Sequence, residues 1–369
     1  MKLCRHFGLC GGCRYQDIPY QEQLAKKEER LKELIRESNQ AIECRPINSF
    51  PQWFYRNKME FTFSGEKEAV ICGLHTKEKK RIVFDLNECL IFSRDTAVLV
   101  EAVKEFVNNR KYSPYNKFSH QGFLRHLIVR EGKFSDELML GIVTSGQDGF
   151  DAQGFVDRML SLPLNKKPRS IYWIVNDSFG DAVTFEKKNL LYGEAFITEE
   201  LAGFKFKISI DSFFQTNPYG IEELYKKIVA YALLSKEDSV LDLYCGSGAI
   251  GIFLAKKAKS VLGVEVDSAA IAAAVANART NGVDNISFVC GDTNRFLAEN
   301  NLAGKISLIV ANPPRCGLSK KMKAKLLDTD VPYMFYSSCN PQTLFSDLGD
   351  LSFKYNTLFV EGFDFFPHT

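Results

Sequence analysis

Three cysteines fall within the first thirteen residues, as Cys4-x5-Cys10-x2-Cys13, with two glycines between the last pair. Thiolates at this spacing let a short loop wrap one metal centre, because glycine permits the tight turns that aim sulfurs inward. Tetrahedral zinc and iron–sulfur cubanes take four ligands, so one more must come from elsewhere in the chain. Cys89, among the turn residues of NECLIFS, is the best fourth; Cys44 is the reserve, and Cys72 reads as a strand residue in AVICGL. Spacing alone leaves zinc, an iron–sulfur cluster and free thiols open. The isolated Cys245, Cys290 and Cys316 read as small buried hydrophobes.

A second chemistry lies in LDLYCGSGAIG, where Gly246, Gly248 and Gly251 spell G-x-G-x-x-G between a strand and a helix. Such a turn brings backbone close to a ligand, and the helix start offers free N–H donors. Glu265 ends the next strand, where a carboxylate can bind ribose hydroxyls, and Asp292 follows the third strand, in reach of an adenine edge. NAD and S-adenosylmethionine sites share this geometry. Asn312-Pro313-Pro314, after a fourth strand, separates them: the prolines hold an extended turn that exposes an amide beside the cofactor, as in nucleobase methyltransferases. Cys339, in YMFYSSCNPQT, stands at the end of a fifth strand, where a populated thiolate could add to an electron-poor ring carbon.

These groups need two kinds of scaffold. Residues 15–38 carry the pattern of one charged amphipathic helix with Leu24, Leu31, Leu34 and Ile35 as its stripe. From 54 to 205 the runs KMEFTF, AVICGL, RIVFDL, LRHLIVR, LMLGIV, SIYWIV and FKFKISI predict mostly antiparallel strands with one helix near 93–109. From Asp238 strands alternate with helices, which predicts a doubly wound parallel sheet. The expected fold is therefore α/β: a Rossmann-like domain over 206–369 behind an α+β domain over 1–205. The chain has 369 residues, with 47 basic and 45 acidic side chains, so any nucleic-acid contact must rest on local patches. With 45% apolar residues but no run near the ~20 that span a bilayer, it reads as a cytoplasmic protein without a membrane partner.

Taken together, FYRNKMEF (54–61), LRHLIVR (124–130), SFFQTNP (212–218), DLYCGSG (242–248), NPPR (312–315), SSCNP (337–341) and DFFPHT (364–369) extend over nearly the whole chain. With the N-terminal cysteines, they resemble the S-adenosylmethionine-dependent RNA uracil-C5 methyltransferases of the TrmA/RlmC/RlmD type. The resemblance implies a class I methyltransferase domain, a [4Fe-4S] cluster on Cys4, Cys10, Cys13 and Cys89 in the RNA-binding domain, and Cys339 as nucleophile. It places Gln215, Tyr244, Glu265 and Asn312 around the cofactor. The family base is a glutamate a few residues past F-P-x-T, beyond Thr369, so this form is expected to make the methylated adduct and release it slowly. His368 is not assigned that role.

RNA contacts are expected from Arg56, Lys58, Arg125, Arg130 and Arg315, the middle pair within an acid-free stretch, 111–130, that interleaves Tyr112, Tyr115, Phe118 and Phe123. A second acid-free stretch, 315–325, adds Lys320, Lys321, Lys323 and Lys325 beside NPP. The chain begins almost at its first cysteine, which leaves no room for an N-terminal OB-like TRAM domain. That favours the RlmC-like branch and 23S rRNA over the T-loop of tRNA, with a monomer as the acting form. Two other classes compete. A purine N-methyltransferase would carry an aromatic where Arg315 follows the prolines and has no use for Cys339, and a non-catalytic RNA-binding factor needs neither.

Overall fold

The computed structural model describes residues 3–79, 81–146, 149–180 and 183–369. The first helix, α1 (Tyr20–Glu37), begins behind Pro19 rather than at residue 15, because proline disfavours the helical conformation in the residue before it. Strand β1 (Glu43–Asn48) follows. The central sheet comprises β2 (Lys58–Glu66), β3 (Ala69–His75), β4 (Val83–Asp85), β5 (Leu124–Glu131), β6 (Glu137–Thr144), β7 (Lys167–Val175) and β8 (Lys187–Gly193). Its order is β4-β3-β2-β5-β6-β7-β8. Helix α2 (Thr96–Asn109) and a second helix, α3 (Ala152–Leu160), pack on it.

The sequence pattern predicts a single helix here, and the pairing explains the second. Strands β6 and β7 run parallel while the sheet's other neighbours are antiparallel, and a parallel pair needs a long crossover. Helix α3 is that crossover, capped by the Asp151 carboxylate accepting from the Gly154 N–H at 2.9 Å. A hairpin of β9 (Ile197–Leu201) and β10 (Phe204–Ile208) leads out of this sheet, and its Phe204 and Phe206 lie in one core with Tyr225 and Phe253 of the next unit.

That unit opens with α4 (Pro218–Tyr231). It continues as β11 (Ser239–Leu243), α5 (Ala249–Ala255), β12 (Ser260–Glu265), α6 (Ser268–Thr280), β13 (Ile286–Cys290) and α7 (Thr293–Glu299). Then come β14 (Leu308–Ala311), α8 (Lys320–Asp328), β15 (Tyr333–Tyr336), α9 (Pro341–Leu351) and β16 (Phe359–Phe363). Strands β11 to β15 form a parallel sheet in the order β13-β12-β11-β14-β15, the doubly wound arrangement expected. Strand β16 leaves it and pairs, in parallel, with β1 from the far end of the chain. Above that pair, Leu31 and Leu34 of α1 pack on Phe345 and Val360. The α/β class expected from the sequence is thus present, and no described helix is long and apolar enough to cross a membrane.

Burial separates the cysteines differently from the expectation. Cys72 and Cys245 are buried, but Cys290 and Cys316 are exposed, because each sits at or beyond a strand end rather than inside a core. Leu34 tests the seam between α1 and α9. Truncating it to alanine is expected to cost about 2–4 kcal/mol of stability, read from the urea midpoint.

Candidate active site

The carboxyl ends of β11, β12, β14 and β15 open into one groove of about 2410 Å³, lined by Gln215, Tyr244, Gly246, Glu265, Asn312 and Cys339. A small-molecule pocket is typically ~300–1,000 Å³, so this groove has room for more than one small ligand. Arg56 and Arg315 reach it as well. Asp292 does not line it: it is exposed and caps α7, accepting from the Arg295 N–H at 2.9 Å.

Tyr244, the first residue past β11, holds a left-handed backbone (φ 60°) that a non-glycine residue rarely adopts. The turn directs the Cys245 N–H to the Val264 carbonyl at 3.2 Å and the Gly246 N–H toward the carboxylate of Glu265. Its Oε2 accepts from Gly246 N–H at 3.2 Å, and its Oε1 accepts from Val266 N–H at 2.7 Å and Asp267 N–H at 3.1 Å. Three backbone donors fix that carboxylate at the groove, where it can receive a diol. Gly248 serves packing instead: a Cβ there would stand 2.8 Å from the Phe288 ring and 3.0 Å from Ala274. Beneath the loop, Asp242 Oδ2 accepts from Gly251 N–H at 3.0 Å, while Oδ1 is buried without a partner. Burial raises the Asp242 carboxyl to about 7 against the lowering effect of the Gly251 N–H, with the charge of Glu265 adding to the rise.

Asn312 follows β14, its N–H directed at the Leu243 carbonyl (3.4 Å), and Pro313 is buried behind it. Past β15, Ser337 N–H donates to the Ala311 carbonyl at 2.9 Å, so the Cys339 loop is tied to the strand that carries Asn312. Cys339 itself is exposed, just before α9, whose first turn Asn340 caps. Gln215 arrives from the other direction. Asn57, buried beside β2, donates from Nδ2 to the Gln215 carbonyl at 3.0 Å and from its backbone to Thr216 at 2.9 Å. Asn57, which the sequence offers beside Arg56 and Lys58 as a candidate substrate contact, is held to this loop, and Asn277 is the site-building residue that sequence reasoning missed. Asn277 accepts from Lys207 N–H at 3.0 Å and donates to the Ser247 carbonyl at 3.1 Å, joining the hairpin to the glycine loop. Its one signal was a polar residue in the alanine-rich face of SAAIAAAVANART.

Of the expected RNA contacts, Arg125 and Arg130 are corrected by burial: each is 4% exposed. Arg125 donates to the carbonyls of Asn176 (2.9 Å) and Ser178 (2.8 Å) and to Gly180, and stacks on Tyr115; Arg130 donates to the Ser212 carbonyl. Both guanidiniums bind backbone, which an outward-facing phosphate contact would not allow. Among the interleaved aromatics, Phe123 is buried and Tyr112 packs on it, whereas Phe118 is 69% exposed. Lys58 is half-buried and paired with Glu60 at 2.6 Å, and Lys323 is paired within the fold; Arg315, Lys320 and Lys321 are exposed.

Cys4, Cys10, Cys13 and Cys89 line one small cavity of about 30 Å³. Burial, and then mutual repulsion among the sulfurs, raises Cys89 to about 12, and burial foremost raises Cys13 to about 11 and lifts Cys4 and Cys10. Among the described residues no three His, Cys, Asp or Glu side chains close into metal-ligand geometry, so the four thiols converge without forming a finished coordination shell. His368, at the other end of the chain, is buried. It stacks on Trp53 at 4.2 Å between ring centres, with Nδ1 3.0 Å from Gln23 Nε2, and lies outside the groove.

A family profile described as tRNA (Uracil-5-)-methyltransferase matches residues 182–369. An uncharacterised RNA methyltransferase of Clostridium tetani is 36% identical over 99% of this chain and 81% of its own length. One from Leptospira interrogans is 33% identical over 99% of this chain and 95% of its own. The crystal structure of Pyrococcus abyssi tRNA (uracil-54, C5)-methyltransferase, in complex with S-adenosyl-L-homocysteine, superposes with a TM-score of 0.80. It is 30% identical, and the match covers 100% of this chain and 86% of that one.

Asp242 gives a pH test. The folded chain keeps its proton to about pH 7, whereas the unfolded chain gives it up near 3.8, so its stabilising contribution is complete below about pH 4 and lost as pH rises through 7. Asp242→Asn should remove that decline, so the urea midpoints of variant and wild type diverge in the variant's favour between pH 4 and 7 and stay parallel above.

Proposed function

The chain belongs to the tRNA (uracil-5-)-methyltransferase family, and from that premise we propose that it transfers a methyl group from S-adenosylmethionine to carbon 5 of a uridine in RNA through a covalent bond to Cys339. The observation that carries this reading is the convergence of Cys339, Asn312 and the Glu265 carboxylate in one groove large enough for a cofactor and a nucleotide together. Carbon 5 of uracil is a weak nucleophile. Addition of the Cys339 thiolate to carbon 6 pushes the ring electrons onto O4 as an enolate, and carbon 5 then takes the methyl from sulfonium, leaving neutral S-adenosylhomocysteine. Loss of the carbon-5 proton to a base lets the C–S bond break and returns the thiolate. Glu265 holds the ribose diol, while Tyr244, Gly246, Gln215 and Asn312 shape the walls that keep this charge movement away from water. The base must leave its stack to reach the thiol, so the target is an unpaired or flipped uridine. Arg56, Lys58 and Arg315, with Lys320 and Lys321, serve the flanking phosphates.

The substrate expected from the RlmC-like resemblance is 23S rRNA. The solved archaeal relative acts on uracil-54 of tRNA, which favours tRNA as a second reading. Labelled S-adenosylmethionine offered with 23S rRNA and with tRNA decides between them by which RNA takes up label. Cys339→Ala should lower transfer by at least about a thousandfold and abolish the RNA–protein band that survives denaturation. Retention of full activity by Cys339→Ala would sink the covalent route.

Cys4, Cys10 and Cys13, with Cys89 as the fourth, are proposed to hold a [4Fe-4S] cluster. The donor set fits: four thiols line one small cavity, Cys13 and Cys89 buried and Cys4 and Cys10 half-buried, and a cationic centre would compensate the charge that their deprotonation brings together. The cluster would supply a clamp that fixes the loop 4–13 against Cys89, with redox chemistry absent from the steps above. Anaerobically purified protein should be brown, with iron and sulfide in equal amounts, and Cys89→Ser should lose the colour. A colourless, zinc-loaded protein defeats the assignment.

A further inference from the structure

Asp347, in the second turn of α9, is 4% exposed and contacts three elements at once. Its Oδ2 accepts from the Tyr336 hydroxyl at 2.6 Å and from the Leu318 N–H at 2.8 Å, and its Oδ1 accepts from Lys323 Nζ at 2.9 Å. Tyr336 is the last residue of β15, directly before the loop 337–340 that carries Cys339; α9 begins directly after it. Leu318 ends the segment that starts at Asn312-Pro313-Pro314, and Lys323 lies on α8. The carboxylate therefore fastens both sides of the nucleophile loop to the far side of the Asn312 loop.

The backbone is built around this contact. Gly317 has φ 78°, and a Cβ there would stand 2.5 Å from Asp347 Oδ2, so any larger residue would push the carboxylate off its donors. Tyr336 lines the groove on the same side as Asn312, but Asp347 itself does not reach it. A charge buried this deeply is costly unless paired and hydrogen-bonded, and here both conditions are met by groups from the elements that must hold still.

We propose that Asp347 is a positioning residue for the methyl transfer: it sets the separation between the Cys339 thiol and the Asn312 side chain without touching substrate or cofactor. The inference rests on the functional reading above. The glycine loop and Glu265, anchored on β11 and β12, take no hydrogen bond from Asp347, so the ribose-holding part of the groove is fixed by other contacts than this clamp. Displacement of a reacting group by an ångström costs on the order of a hundredfold in rate. The predicted signature is thus a loss of kcat with cofactor affinity kept.

The test compares Asp347→Ala, Asp347→Asn and Tyr336→Phe with wild type, using single-turnover methyl transfer to whichever RNA the wild type labels and calorimetric binding of S-adenosylhomocysteine. Asp347→Ala should lower the transfer rate by roughly thirtyfold or more while binding changes less than threefold. Asp347→Asn keeps a neutral acceptor for Leu318 and should recover to within about tenfold of wild type; Tyr336→Phe should lose only a few-fold. If Asp347→Ala fails to fold, the other two variants carry the comparison. An unchanged rate in all folded variants, or loss of cofactor binding in step with rate, overturns the proposal. Should the wild type methylate no RNA, the functional reading fails by itself. The clamp is then judged by hydrogen exchange: the Leu318 amide should exchange at least about tenfold faster in Asp347→Ala than in wild type, and equal exchange removes it.

Discussion

Parallel strand pairing is the constraint on which the site depends. In a parallel sheet every strand delivers its carboxyl end to the same edge, so the loops after β11, β12, β14 and β15 meet whatever their distance in sequence. That alone brings Tyr244, Glu265, Asn312 and Cys339 together. The order β13-β12-β11-β14-β15 reverses direction at β11, and the groove opens at that reversal. The left-handed Tyr244 backbone stands there, and the strain of a non-glycine residue in that conformation is held by the backbone bonds of the turn, Cys245 N–H to the Val264 carbonyl and Gly246 N–H to Glu265.

The second organising feature is the return of the chain upon itself. Strand β16 pairs with β1, Tyr55 hydroxyl donates to the Pro367 carbonyl at 3.1 Å, and the His368 carbonyl accepts from the N–H groups of Arg14 (2.8 Å) and Tyr15 (3.1 Å). Arg14 directly follows Cys13, so the cysteine loop and the last residues of the chain are joined by backbone bonds. Asn57 adds a third tie, from the central sheet to the loop that presents Gln215. The central sheet and the parallel-sheet unit are therefore joined by backbone and side-chain hydrogen bonds, with the Lys27–Asp364 pair (2.6 Å) adding a charged contact between α1 and the segment after β16.

Much of this was legible from residue order. Strict alternation in KMEFTF and the strand–turn–helix rhythm after Asp238 gave the two sheets, and α6 ends at the Asn281-Gly282 stop. The second helix of the central domain was not legible, because a glycine interrupts DAQGFVDRML and the need for a crossover appears only once β6 and β7 are seen to be parallel. The arginines failed for a related reason. In LRHLIVR, Arg125 and Arg130 have the composition of a phosphate contact, but every residue of β5 is buried, so both guanidiniums turn to backbone carbonyls. Asp292 stands past β13 as the strand order predicts, and its carboxylate caps α7 there.

Residue types and local spacing by themselves determined the chemistry available: a nucleophilic thiol after a strand, a glycine turn with an acidic strand end, an amide held by two prolines, and a set of thiols near the N-terminus. Those are properties of a few consecutive residues and of the turns they permit. Only the tertiary structure decided which charged groups face solvent, that Cys290 and Cys316 are exposed, that β16 pairs with β1, and that Asp347 spans three elements. Burial and long-range pairing depend on what the other several hundred residues place alongside, and no local pattern carries that information.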